Sequence, residues 1–140
     1  MTWLNRRLRR TGRDGDAGAS SIELVLYTPM LMIVIFLIVQ FAMSWFGSEV
    51  AGATAREAAR VARTGGGTPA SLVAAEKRGE SYAAAIGNDA LRDVTVSVVV
   101  IPGDRVRATV SGRSQEIVGG FAPRVSQSVE GPIEQFRPDE

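Results

Sequence analysis

The sequence predicts an α+β protein. A long N-terminal transmembrane helix extends outside the membrane, followed by a short second helix and a small antiparallel sheet of about three strands packed on the long helix. Three observations lead there. Leu24 to Phe46 is an almost wholly apolar run, long enough to meet the roughly 20 residues that cross a ~30 Å hydrocarbon core as a helix. Gly47 to Arg63 loses that hydrophobicity but keeps a helical period, with no proline and abundant alanine. Beyond Gly65-Gly66-Gly67 the chain turns to one more helical pattern and then to period-two alternation.

Composition narrows the function. The 140 residues hold at most one ordinary globular domain besides the membrane segment. There is no cysteine and no histidine. Disulfides, thiolate nucleophiles, the commonest general base and the commonest metal ligand are all excluded. No enzyme, metal site or cofactor is expected, and no small-molecule substrate. The net charge of +1 hides an uneven distribution, with Arg6, Arg7, Arg9, Arg10 and Arg13 crowding the start against Asp14 and Asp16. Next to a span, such a cluster sets the N-terminus inside and the C-terminus outside. Topology accounts for these charges without a nucleic-acid partner. The Arg6-Arg7 and Arg9-Arg10 pairs fit a twin-arginine export signal only loosely.

The apolar run carries no charge, and Gln40 is its one strongly polar side chain. Trp45 and Phe46 close it, Trp45 suiting the interfacial aromatic belt. A cleavable secretory signal, for which Ala53-Thr54-Ala55 would offer a cutting site, has an apolar part of only about 7–15 residues. The longer run favours a span that stays in the protein. Pro29, inside it, lacks the N–H that would bond the Val25 carbonyl, and its ring crowds that carbonyl, at about 3 kcal/mol in a soluble helix. Membrane helices tolerate proline when nearby hydroxyls re-satisfy the freed groups, and Thr28 is a candidate. An ordinary kinked span and a functional soft point both remain open.

In the projecting half, Arg56, Arg60 and Arg63 form one stripe, with Glu49 two turns back. Ala51, Thr54, Ala55, Ala58, Val61 and Ala62 form the opposite face. Its small-x-x-x-small steps, Gly47/Ala51/Ala55 and Ala58/Ala62, let another backbone approach closely. The three glycines end the helix. Thr68-Pro69 then supplies an N-cap and a first-position proline. Leu72, Ala75, Gly79, Tyr82 and Ile86 space out as one face of the second helix, Gly87-Asn88 stops it, and the charges from Glu76 to Glu80 read as a solvated surface.

Val94, Val96, Val98 and Val100 alternate with Thr95, Ser97, Val99 and Ile101. Pro102-Gly103 suits the centre of a type II turn, and Val106, Ala108 and Val110 resume the alternation as the second arm of a hairpin. A third strand is expected over Val125 to Glu130, with Val125 and Val129 on the same face, after a Gly-containing connection holding Ile117, Val118 and Phe121. Pro132 to Glu140 reads as an irregular tail. The part beyond the triple glycine is about 70 residues without disulfides, a size that is marginal without a staple or partner. The alanine face of the long helix is the surface expected to cover it.

One constellation remains, Gly18-Ala19-Ser20-Ser21-Ile22-Glu23. A carboxylate at the edge of hydrocarbon is unfavourable. Glu23 is either a hydrated bystander or the partner of a cation. Cleavage after Gly18 would give Ala19 a new ammonium four residues before Glu23, on the same helical face. This combination resembles the type IV pilin superfamily, whose members are cut by a membrane peptidase after a glycine, with glutamate at the fifth mature position. More narrowly it resembles the TadE-like family, minor pseudopilins of the tight-adherence (Flp-type) pilus. The family pattern has a small residue, Glu, then an apolar run with proline six residues after the Glu, as Glu23 and Pro29 stand here. Ala53 to Ala62 is similar to the family's Ala- and Arg-rich continuation.

The resemblance implies a pilin-like fold and a definite division of the chain. Residues 1–18 would be a cytoplasmic prepilin-type leader. Residues 19–64 would be the long helix, transmembrane over about 24–46 and projecting over 47–64. Residues 65–68 would be a Gly-rich turn, and 69–140 an extracytoplasmic α/β domain. The implied sites are Gly18 and Ala19 for processing and Glu23 for pairing with an N-terminal amine during assembly, beside Pro29 for a helix kink and Ala51, Ala55, Ala58 and Ala62 for helix packing, which the residues themselves suggest. The implied partners are a prepilin peptidase, other pilins and pseudopilins, the pilus assembly platform and the lipid bilayer. The place is the cytoplasmic membrane, in a single pass, with entry into an extracellular pilus. Two other readings compete. One is an unprocessed, single-span extracytoplasmic binding domain. The other is a secreted enzyme released near Ala55 with Glu116 and Asp104 as acids, which lacks a histidine, a cysteine or a metal cluster to work with.

Overall fold

A computed structural model describes residues 14–87, 89–117, 119–120 and 122–134, with side chains from residue 21 onward. Arg6 to Arg13, Asn88, Val118, Phe121 and the tail from residue 135 lie outside the described residues. The elements are α1 (Asp14–Thr64), α2 (Pro69–Gly87), β1 (Leu91–Ile101), β2 (Arg105–Ser114) and β3 (Arg124–Pro132). The fold is the α+β arrangement read from the sequence. Two compact units divide it, the first ending at Ile38 and the second running from Val39.

In the first unit the large side chains of α1 from Ile22 to Ile38 are all well exposed. The helix runs unbroken through Pro29. The Thr28 hydroxyl donates to the Leu24 carbonyl at 2.6 Å, so it does not reach the Val25 carbonyl that proline frees.

In the second unit α1 is a spine. Its end is a Schellman motif: Gly67 N–H bonds the Ala62 carbonyl at 3.0 Å and Gly66 N–H bonds the Arg63 carbonyl at 3.2 Å. Gly66 takes the left-handed conformation that the motif requires, with φ of 73°. Thr68 then caps α2, its Oγ1 accepting the Ser71 N–H at 3.2 Å. The helix returns beside α1 along a buried stripe of Ser71, Ala75, Gly79, Ala83 and Gly87. This differs from the face expected at Leu72, Tyr82 and Ile86. Leu72 and Tyr82 are only partly buried, and Ile86 is 37% exposed. The reason is spacing. A Cβ on Gly79 would come within 3.3 Å of Ala58 Cβ, and one on Gly65 within 2.4 Å of Ser71 Cβ. The helices approach until only small side chains fit the seam, and the larger ones flank it.

The sheet is antiparallel in the order β1-β2-β3. Its central strand is the most buried, with Val106, Ala108 and Val110 all inaccessible. These join Val96 and Val98 of β1 and the alanines of α1 in one core, with Val125 and Val129 of β3 packed against it. The hairpin turn spans Pro102 to Asp104 between paired Ile101 and Arg105. Gly103 has φ of 87°, as a type II turn needs, and Asp104 follows in the left-handed region. Strand β3 includes Pro132, which was expected in the tail. As an edge strand it tolerates a missing N–H, and the Pro132 carbonyl accepts a bond from Arg63 Nε at 2.8 Å.

Two charges read as solvated instead tie the layers. Glu76 accepts the Val98 N–H at 3.0 Å, occupying part of the free edge of β1. Arg78 bonds Glu57 of α1 at 3.1 Å, where Arg60 already makes a two-pronged contact at 2.9 Å on each oxygen. Those bonds, the Arg60 one foremost and against the opposing effect of partial burial, hold the Glu57 carboxyl below its ordinary 4.5, at about 2.

Candidate functional site

The N-terminal stretch of α1 is the candidate site. Over the described residues the helix covers Asp14 onward, so the Gly18–Ala19 peptide bond is helical. One turn on, Glu23 is exposed, in a shallow groove with Ile22, Leu26 and Tyr27. Helical geometry puts positions 19 and 23 on one face, about one turn apart. Pro29 follows on an unbroken helix whose apolar side chains face outward all round. A helix that is apolar all round needs a bilayer or other helices to cover it. Among the described residues, one helix is long and apolar enough to cross a membrane, and this is its apolar part.

The other residues singled out from the sequence lie elsewhere. Ala51, Ala55, Ala58 and Ala62 are all inaccessible, packed in the second unit's core far along the helix from Glu23. They pack α2 and the sheet onto the second half of α1. Asp104 sits in the hairpin turn, and Glu116 accepts the Gly120 N–H at 2.9 Å. The structure does not bring these two acids together in one site. Among the described residues no group of three or more acidic side chains could hold a metal ion.

Gln40 has a structural task that its place in the apolar run did not reveal. Its Nε2 donates to the Gln115 carbonyl at 3.3 Å, and its Oε1 accepts the Ile117 N–H at 3.1 Å. The side-chain amide thereby satisfies two backbone groups of the β2–β3 connection. A lone amide amid apolar residues was the available signal.

Comparison with known proteins bears on this same stretch. Residues 18–60 match the family model described as TadE-like protein, from Gly18 through Glu23 and Pro29 into the alanine-rich half of α1. No curated protein and no solved structure matches the chain.

Proposed function

From a TadE-like segment over residues 18–60, we propose that the chain is a minor pseudopilin that helps assemble or initiate a tight-adherence (Flp-type) pilus or related secretion filament. The observation that carries the reading is the coincidence of that match with a wholly exposed apolar helix. In this reading a prepilin peptidase cuts after Gly18, the leader arginines keep the N-terminus cytoplasmic, and the domain beyond Thr64 stands outside the membrane. The function is assembly, not catalysis. Its partners are other pilins or pseudopilins and the assembly platform.

Glu23 neutralises the Ala19 ammonium or that of a neighbouring subunit. Two unit charges 4 Å apart attract by about 1 kcal/mol in water but about 4 kcal/mol at an effective dielectric of 20. The pairing therefore gains weight as the helix end moves from solvent into a packed filament. Pro29 gives the helix a point of easy bending during extraction, since the Val25 carbonyl has no N–H partner one turn on.

Co-purification of pilus components with Glu23→Ala tests the assembly role. Loss of partners with cleavage intact is the expected result. Unchanged partners would make Glu23 a hydrated bystander.

A further inference from the structure

The unit from Val39 onward has two differently charged ends on the outer face of its sheet. At the end level with Arg63, Arg105 and Arg107 are both paired to Glu130, at 3.2 and 2.6 Å. At the end level with Gly47, Arg92 stands opposite Arg113, and Arg113 stands opposite Arg124. Like charges directly opposite one another destabilise a sheet. These three arginines line one cavity of about 690 Å³ together with Asp93 and Glu116. Asp93 reaches Arg113 only at 3.7 Å. Glu116 is engaged by the Gly120 N–H. Three guanidinium groups thus face two carboxylates, and an anion from outside would relieve the row.

The same end is also apolar. Phe41 is 71% exposed and Trp45 63%, and Ile117, fixed beside Gln40, is exposed as well. It is the end at which the apolar run of α1 enters the domain.

We propose that this end is a docking surface for the anionic phospholipid headgroups of the bilayer that α1 crosses. Arg92, Arg113 and Arg124 take lipid phosphates, and Phe41, Trp45 and Ile117 lie in the interfacial layer. The hydrocarbon boundary then falls at Gln40 instead of Phe46. Length supports this placement. Ser21 to Val39 rises about 28 Å at 1.5 Å per residue, close to the ~30 Å core. The arginine row adjoins Ser114 and Ala90, beside which Gly47 packs. That is about 10 Å further along α1, at headgroup depth. Guanidinium groups match phosphate oxygens as planar forks, and aromatic rings favour the membrane interface. The inference rests on the membrane-span reading above.

The test uses the full chain in nanodiscs of phosphatidylcholine with roughly 20 mol % phosphatidylglycerol, the lipids that stay bound being counted by native mass spectrometry. About fivefold enrichment of phosphatidylglycerol over the bulk ratio is expected. Arg113→Gln with Arg124→Gln should lower it to what Arg6 to Arg13 alone retain, while Arg105→Gln with Arg107→Gln leaves it intact. No enrichment, or equal loss from both pairs, overturns the proposal. So does enrichment that millimolar inorganic phosphate abolishes at constant ionic strength, which would mark a site for the free anion. A second measurement avoids the arginine variants. Because the chain has no cysteine, Ile117→Cys accepts a single fluorophore, which a headgroup-attached quencher should quench. An unquenched label contradicts the placement. A chain that never enters the nanodisc overturns the span reading itself, whereas insertion without lipid preference overturns only the docking surface.

Discussion

Gly79 is where three layers meet, and adding one methyl group there tests the packing directly. A Cβ would lie 2.9 Å from Val96 Cγ1, 3.2 Å from Val96 Cγ2 and 3.3 Å from Ala58 Cβ. Favourable carbon contacts lie at about 3.5–4.0 Å, so Val96 must retreat by more than half an ångström. It is β-branched, 7% exposed and held in the β1–β2 ladder, so it retreats poorly. Overpacking of this kind costs about 1–3 kcal/mol, while alanine gains about 1 kcal/mol over glycine in a helix interior. Gly79→Ala should therefore destabilise by up to about 2 kcal/mol. In a Val96→Ala background only the 3.3 Å approach to Ala58 Cβ remains, and the same substitution should stabilise by up to about 1 kcal/mol. Urea unfolding of the four proteins of this cycle in detergent, followed by circular dichroism, reads the coupling. If Gly79→Ala stabilises by the same amount in both backgrounds, the close approach of α2 to β1 and α1 is wrong.

Other substitutions probe the remaining links. Thr54 Oγ1 is the one fully buried side-chain polar atom without a hydrogen-bond partner among the described residues. Thr54→Val should stabilise by about 1 kcal/mol in the same unfolding assay, and a loss of that size would mean that the hydroxyl is engaged. Glu57 titrates in the folded chain at about 2, below its ordinary 4.5. Its contribution is therefore complete above pH 4.5 and is lost as pH falls towards 2. Because Arg60 and Arg78 are more than half exposed, that contribution is about 1–2 kcal/mol. Glu57→Gln should flatten the stability profile across this window, and an unchanged acid slope would show that the cluster is not the cause. Gln40→Leu removes the bonds to the Gln115 carbonyl and the Ile117 N–H. The Ile117 amide should then exchange with solvent roughly ten times faster, equivalent to about 1.4 kcal/mol, while the Val106 amide keeps its protection.

The parts legible in advance share a physical cause. The apolar run, the triple-glycine stop, the Thr68-Pro69 start and the valine alternation are all local, and each is dictated by residues adjacent in sequence. What escaped depended on partners distant in sequence. Whether Leu72 or Ser71 faces inward on α2 is decided by how closely α1 approaches, since both stripes have helical spacing. Glu76 and Arg78 look like any solvated charges until β1 and Glu57 are set beside them. The role of Gln40 required knowing that residues 115–117 return to it. At the N-terminal site the opposite holds. Gly18, Ala19 and Glu23 are legible as a pattern, because the spacing of a glycine, a small residue and a carboxylate ahead of an apolar run is itself local.

The proposed assembly role turns on whether the chain is cut. Intact mass of the protein purified from membranes of cells with a working prepilin peptidase is the most direct measurement. A chain beginning at Ala19 is expected. Retention of Met1 to Gly18 in those cells would contradict it, leaving Glu23 without the amine it is proposed to meet.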